Sequence, residues 1–312
     1  MRWREGARAT LLGGVLGMAA AGAAAQRDPD GEVVLRRAEL VRNPFVGTAI
    51  EVDLTVVSRD TGRTLRASRD LLLTQRGERA LMLLGTKRAV APGALLFADD
   101  TYWLLLPHAA DPVELAMVHV VAGELSHVGF LRVDLRSRYR PREAVAEELD
   151  GVPCWRLELE PRRQPAPFGR VRYWIARDRL LPLRIDFHDA AGVRLKIARF
   201  TAYRDSGFGP RPARIEIEDT HRPGERATLV LGSPRPVPTA KLDFDVPALL
   251  ALREAARRLA AEGVSVPSGQ RLVAALAVAA RERAASGPAI SHASSPPASP
   301  APPLPSRPPP PG

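Results

Sequence analysis

Cysteine is almost absent from this 312-residue chain, with Cys154 the only one. No intrachain disulfide can form, and a multi-cysteine zinc site cannot be built. Lysine is nearly as scarce, occurring only at Lys87, Lys196 and Lys241, so almost all basic charge is arginine. The six histidines include no close pair at metal-ligand spacing. G-x-S-x-G, G-x-x-x-x-G-K-[ST] and H-E-x-x-H patterns are all missing, and no apolar run approaches the roughly 18 residues of a membrane-spanning helix. These absences remove the sequence grounds for a serine hydrolase, a P-loop enzyme or a metallopeptidase. The expectation is a protein that is not an enzyme, with no catalytic residue, no metal site and no cofactor. A single dense basic patch is lacking as well. The formal net charge of +10 divides into +2 for residues 1–25, +4 for 246–312 and +4 for everything between. That dispersion does not track a phosphate backbone, so nucleic acid is not an expected partner.

What the chain does have is an ordinary globular composition, 45% hydrophobic and 26% charged, interrupted at its two ends. Arg2, Arg4 and Arg8 precede a short apolar stretch, Leu11 to Ala21, and then Ala23-Ala24-Ala25. This is the layout of a secretory signal cleaved after Ala25, which points to a periplasmic, exported protein. At the other end, residues 288–312 hold 11 of the 30 prolines and cannot bury a core, so a disordered Pro-rich tail is expected. Residues 26–245 read as one domain and 246–287 as a helical extension. That extension comprises a helix from Pro247 to Ala261 and a second from Ser268 to Ser286.

Within the central domain, Val33 to Arg42 has helical spacing, and period-two patterns dominate afterwards. Val52, Leu54 and Val56 alternate with polar neighbours. So do Trp155, Leu157 and Leu159; Tyr173 and Ile175; Leu183, Ile185 and Phe187; and Ile215 and Ile217. Turn residues such as Asp60-Thr61-Gly62 and Asp189-Ala190-Ala191-Gly192 separate the strands. About ten to twelve antiparallel strands with one apolar and one polar face are expected, giving an α+β, mainly β fold built on one large curved sheet. The thirteen apolar residues just named should line its concave side. That surface is either an ordinary core or a ligand cavity, and periodicity does not separate the two. Asp186 and His188 share the opposite parity and are expected to face solvent at a hairpin end. The Asp99-Asp100 pair reads as a turn, and Cys154 as a small buried hydrophobe.

The run Cys154-Trp155-Arg156-Leu157-Glu158-Leu159-Glu160-Pro161, then Val171 to Asp178, then Leu181 to Gly192, is similar to the outer-membrane lipoprotein-sorting (LolA-like) family of periplasmic carriers. The segments Leu195 to Tyr203, Pro212 to Asp219 and Ala227-Thr228-Leu229 follow in that family's order. The resemblance implies an incomplete antiparallel barrel covered by helices. It also implies an acylated lipid or lipoprotein as ligand, handed on without chemistry by a monomer, with an inner-membrane transporter or outer-membrane acceptor as protein partner. The alternative use of the same half-barrel is an envelope sensor that docks a protein.

Overall fold

A computed structural model describes residues 30–261 apart from 44–46, 76–78, 86–92, 99–100, 117–128, 208 and 238–243. The signal segment, the Asp99-Asp100 turn, the helix expected at Ser268–Ser286 and the Pro-rich tail all lie outside the described residues.

Fourteen described strands join one antiparallel sheet. In chain order they are β1 (Thr48–Ser58), β2 (Thr64–Thr74), β3 (Ala80–Leu84), β4 (Gly93–Ala98), β5 (Thr101–Leu105), β6 (Val113–Leu115) and β7 (Tyr139–Leu149). The series continues with β8 (Val152–Pro161), β9 (Arg170–Ala176), β10 (Pro182–His188), β11 (Arg194–Asp205), β12 (Pro210–Asp219), β13 (Glu225–Leu231) and β14 (Arg235–Pro236). Their spatial order is β6-β5-β4-β3-β2-β1-β13-β12-β11-β10-β9-β8-β7, with β14 also on β1. The terminal strands of that path, β6 and β7, do not pair, so the sheet stays open and is not a closed barrel. Most neighbours are consecutive in sequence and meet through short turns. The long-range seam runs between β1 and β13, where Val52 faces Leu231 and Ser58 faces Glu225.

Alternation produces one buried face along the whole sheet. Helix α1 (Gly31–Arg42) lies against it, adding Val34, Leu35 and Ala38 to the same apolar cluster. Asp30 caps the helix by accepting from the Glu32 amide at 2.9 Å. Around β2 to β4 the pattern differs, because Leu71-Leu72-Leu73, Leu81-Met82-Leu83 and Leu95-Leu96 are continuous rather than alternating. Leu72, Met82 and Leu95 join the inner cluster. Leu71, Leu73, Leu81, Leu83 and Leu96 form a second cluster on the outer face with Phe244 and Leu249. The element covering that outer face is helix α2 (Val246–Ala261), the C-terminal helix anticipated from Pro247 onward. Asp245 caps it through the Ala248 amide at 2.7 Å, and Arg253 donates to the carbonyls of Ala109 and Ala110. Strands buried on both faces need continuous apolar sequence, and these have it.

The strand count exceeds the ten to twelve expected, partly because β7 carries no clear alternation. Its Pro141 and its mixture of Glu, Arg and Ala disguise it. A proline is tolerated there because β7 is an edge strand that pairs with β8 alone among the described strands, and the register shifts between Pro141 and Glu143.

Candidate functional site

The inner face is assembled from strands that are far apart in sequence. Val52, Leu54 and Val56 on β1, Trp155, Leu157 and Leu159 on β8, and Tyr173 and Ile175 on β9 all enter one cluster. Ile185 and Phe187 on β10 and Ile215 and Ile217 on β12 complete it. None of these twelve is more than 7% exposed. Leu183, named with them from the sequence, does not join. It is half-buried at the position where the β9–β10 register shifts between Pro182 and Arg184, and that irregularity breaks its parity with Ile185. Phe168 stacks on Phe187 with ring centroids 4.4 Å apart. The hydroxyl of Tyr139 donates to the Phe168 carbonyl at 3.1 Å and accepts from the Phe168 amide at 3.0 Å.

Several polar groups interrupt this apolar surface, and sequence alternation passed over them. Glu39 and Arg42 of α1 form a buried bidentate pair at 2.7 Å. Glu39 also accepts from the Leu135 amide at 3.0 Å. Arg211, from the start of β12, donates to the carbonyls of Leu40 and Val41 at 2.8 Å each and so satisfies the last turn of α1. Across the β11–β12 ladder, Lys196 faces Asp219, with Nζ 3.6 Å from Oδ2 and both side chains 2% exposed. Burial pulls the Lys196 ammonium down to about 8, an effect that Asp219 opposes. A signal for this pair was available. Lys196 continues the inward parity of Ala198 and Phe200, and Asp219 continues that of Ile215 and Ile217.

On the outer face, Asp186 and His188 overturn the expectation of a hydrated strand end. They are 3% and 6% exposed, and arginines lie over Asp186. Arg184 Nε and Nη2 reach the two oxygens of Asp186 at 2.6 and 2.7 Å, and Arg194 approaches at 3.7 Å. Arg184 also stacks on Trp174 at 4.9 Å, and the Trp174 indole donates to Glu147 at 3.1 Å. Long guanidinium side chains laid along a sheet bury the shorter groups beneath them. Gly169 brings the start of β9 hard against the Asp189-Ala190 turn. A Cβ there would meet the backbone of both residues at 2.5 Å. That close approach sets Arg170 beside His188, its register partner. Farther along the same face, an open groove is lined by arginine and glutamate from β7, β8 and β9 together with Trp174. Cys154 is buried, and burial pushes its thiol up, away from the reactive thiolate. Among the described residues no group of three or more His, Cys, Asp or Glu could hold a metal ion, and no described helix is long and apolar enough to cross a membrane.

Comparison with known proteins places this geometry. A LolA superfamily protein from Nitrosomonas europaea superposes with a TM-score of 0.60 at 21% identity, covering 70% of this chain and 98% of the other. A DUF1329 family protein from Desulfovibrio piger gives 0.55 at 18% identity, covering 70% and 97%. A domain assigned to outer membrane lipoprotein sorting, from Vibrio parahaemolyticus, gives 0.51 at 19% identity, covering 64% and 90%. At such identities the likeness is one of fold. Among curated proteins, none matches the sequence. A family model described as an uncharacterized protein matches residues 77–241, more than half of the chain. The chain belongs to that family of uncharacterized proteins, and its open antiparallel sheet has the fold of the LolA superfamily.

Proposed function

We propose that the protein is an exported carrier that shelters the acyl chains of a lipid or lipoprotein against the inner face of its sheet and passes them on without chemistry. The observation carrying this reading is the apolar face running through an open sheet with α1 laid on it as a separate element. A closed barrel filled by its own strands would leave no such replaceable part. In this reading an acyl chain takes the place of Val34, Leu35 and Ala38 against β8, β9, β10 and β12. Each methylene transferred from water contributes about 0.8 kcal/mol, so a chain of a dozen or more carbons competes with three helix side chains. Weak directional bonding suits transfer between two sites of similar polarity. The signal segment ending at Ala25 would deliver the chain to the envelope, and residues 26–245 would form the carrier domain.

The test is lipid mass spectrometry on protein purified from its native envelope without detergent, together with titration of a fluorescent fatty-acyl probe. Co-purified acyl lipid and saturable probe binding are expected. Leu157→Asp should abolish probe binding and also destabilise the fold by several kcal/mol, so only a binding loss in protein whose circular dichroism stays native supports the cavity. A protein that is empty, binds no probe and instead captures an envelope protein would replace the carrier with the docking sensor.

A further inference from the structure

Basic charge that is dispersed along the sequence is gathered at one end of the sheet. The ladders set Ser58 beside Glu225, Asp219 beside Lys196, Lys196 beside Phe187 and Phe187 beside Val171. The connections 59–63, 162–169, 189–193 and 220–224 therefore project side by side from that row. Two of them are tied directly, the Arg59 amide donating to the Gly224 carbonyl at 2.8 Å. Counted with the strand residues beside them, over 59–66, 162–170, 189–194 and 220–226, they hold nine arginines and three acids. At the other end the connections between β7 and β14, over 147–152, 177–181, 204–211 and 232–235, hold five of each. The excess is thus a property of one end. Arg59, Arg162, Arg194 and Arg222 make ion pairs with Glu218, Glu32, Asp186 and Glu225. Arg63, Arg163, Arg170 and Arg226 are exposed and make no ion pair among the described residues. Two apolar side chains stand out among these charges. Val193, at 58%, is the most exposed large apolar residue described, and Leu65 is 47% exposed. Leu65 has no register partner, because the β1–β2 ladder passes from Arg66 to Thr64 at its irregularity.

We propose that this end of the sheet docks on an anionic phospholipid bilayer, with the arginines on headgroup phosphates and Val193 and Leu65 entering the interface. Basic side chains are drawn to such a surface within about a Debye length, roughly 10 Å at 0.1 M salt. Aliphatic side chains add a contact that salt does not screen. The charge is spread over eight neighbouring strands, from β2 to β8. At about 4.8 Å per strand step that is roughly 30 Å along the sheet, a breadth that suits a continuous anionic surface better than one acidic peptide. Docking does not depend on what the inner face holds.

The experiment is flotation of protein purified from its native envelope with vesicles of phosphatidylglycerol mixed into phosphatidylcholine, set against phosphatidylcholine alone. Binding to the anionic vesicles is expected, falling as sodium chloride is raised. Arg63→Glu combined with Arg163→Glu should weaken it about tenfold or more, and Val193→Asp should weaken it as well. Arg179→Glu combined with Arg204→Glu makes the same charge change at the opposite end and should leave binding nearly unchanged. All four arginines are exposed, so native circular dichroism is expected of both double variants. No binding to anionic vesicles, equal loss in the two double variants, or full binding after the change at Arg63 and Arg163 would each overturn the proposal. So would capture of an acidic envelope protein through these arginines in place of lipid. Titration with the acyl probe should be unchanged in both double variants, so docking and carriage fail separately.

Discussion

Lys196 carries its charge on a face where its neighbours along the strand are Ala198 and Phe200. Desolvation opposes that charge, and Asp219 offsets it only while both members are present. Removing one member leaves the other's buried charge without this counter-charge, at a cost of about 3–5 kcal/mol, whereas exchanging both for apolar residues is close to neutral. Urea unfolding of Lys196→Met, Asp219→Leu and the double variant should therefore show two unstable singles and a recovered double. His188 yields a prediction in pH. Burial, with repulsion from Arg172, holds its imidazole below the ordinary 6.5, while Asp186 and Glu158 pull the other way and Arg170 adds to the depression. The unfolded chain therefore takes up its proton first as pH falls below 6.5, and stability should drop through that window. His188→Gln should flatten that part of the profile of urea midpoint against pH. These residues also mark the limit of what the sequence discloses. The parity of Asp186 and His188 was legible and correctly set them opposite Ile185 and Phe187. Their burial was not, because it depends on long side chains from the same and adjacent strands, Arg184 and Arg194 at Asp186 and Arg170 and Arg172 near His188. For Leu183, local alternation survives in the sequence and fails in the sheet, since a register shift leaves no mark in composition.

Among elements, α2 shows how a segment can look detachable and yet cover a core. Its apolar face is narrow and Ala-rich and is interleaved with arginine, which reads as a solvated appendage. The partner surface, however, is written elsewhere, in the unbroken leucines of β2, β3 and β4. A strand with one dry face needs apolar residues only at alternate positions, so Leu71-Leu72-Leu73 already asks for a second cover. Leu249 is fully buried in that cover. Leu249→Ala should cost about 2–5 kcal/mol in urea unfolding. Deleting the chain from Val246 onward should cost more and should raise binding of a hydrophobic dye. An unchanged midpoint for both would mean that α2 rests on the sheet without stabilising it. Strands β8, β9, β10 and β12 were legible because apolar and polar residues alternate along their sequences, whereas β11, with Leu195 and Ile197 on its outer parity, was matched only through the family resemblance. Strand β7 was not, since an edge position relaxes both requirements.

For the molecule as a whole, openness is the property that unites the fold with the carrier reading. The sheet ends at β6 and β7 without closing, and α1 is tied to it through Arg211 as well as through apolar packing, and to the segment before β7 through Glu39 and Arg42. If an acyl chain displaces α1, loaded protein should melt above stripped protein by the usual mass-action margin, a second measure of the lipid experiment described above. The β1–β13 seam has a different kind of consequence, one of timing. Its register partners are roughly 170 residues apart, so β1 emerges early in synthesis and waits for one of the last strands before its second edge is covered. Long-range strand pairing of this sort folds slowly, over milliseconds to seconds, because loop closure must precede any gain from contact. A chain emerging from its N-terminus therefore cannot complete its sheet until nearly all of it is available. In the exported-carrier reading proposed above, that delay would suit passage through a narrow translocation channel, which admits only an unstructured chain.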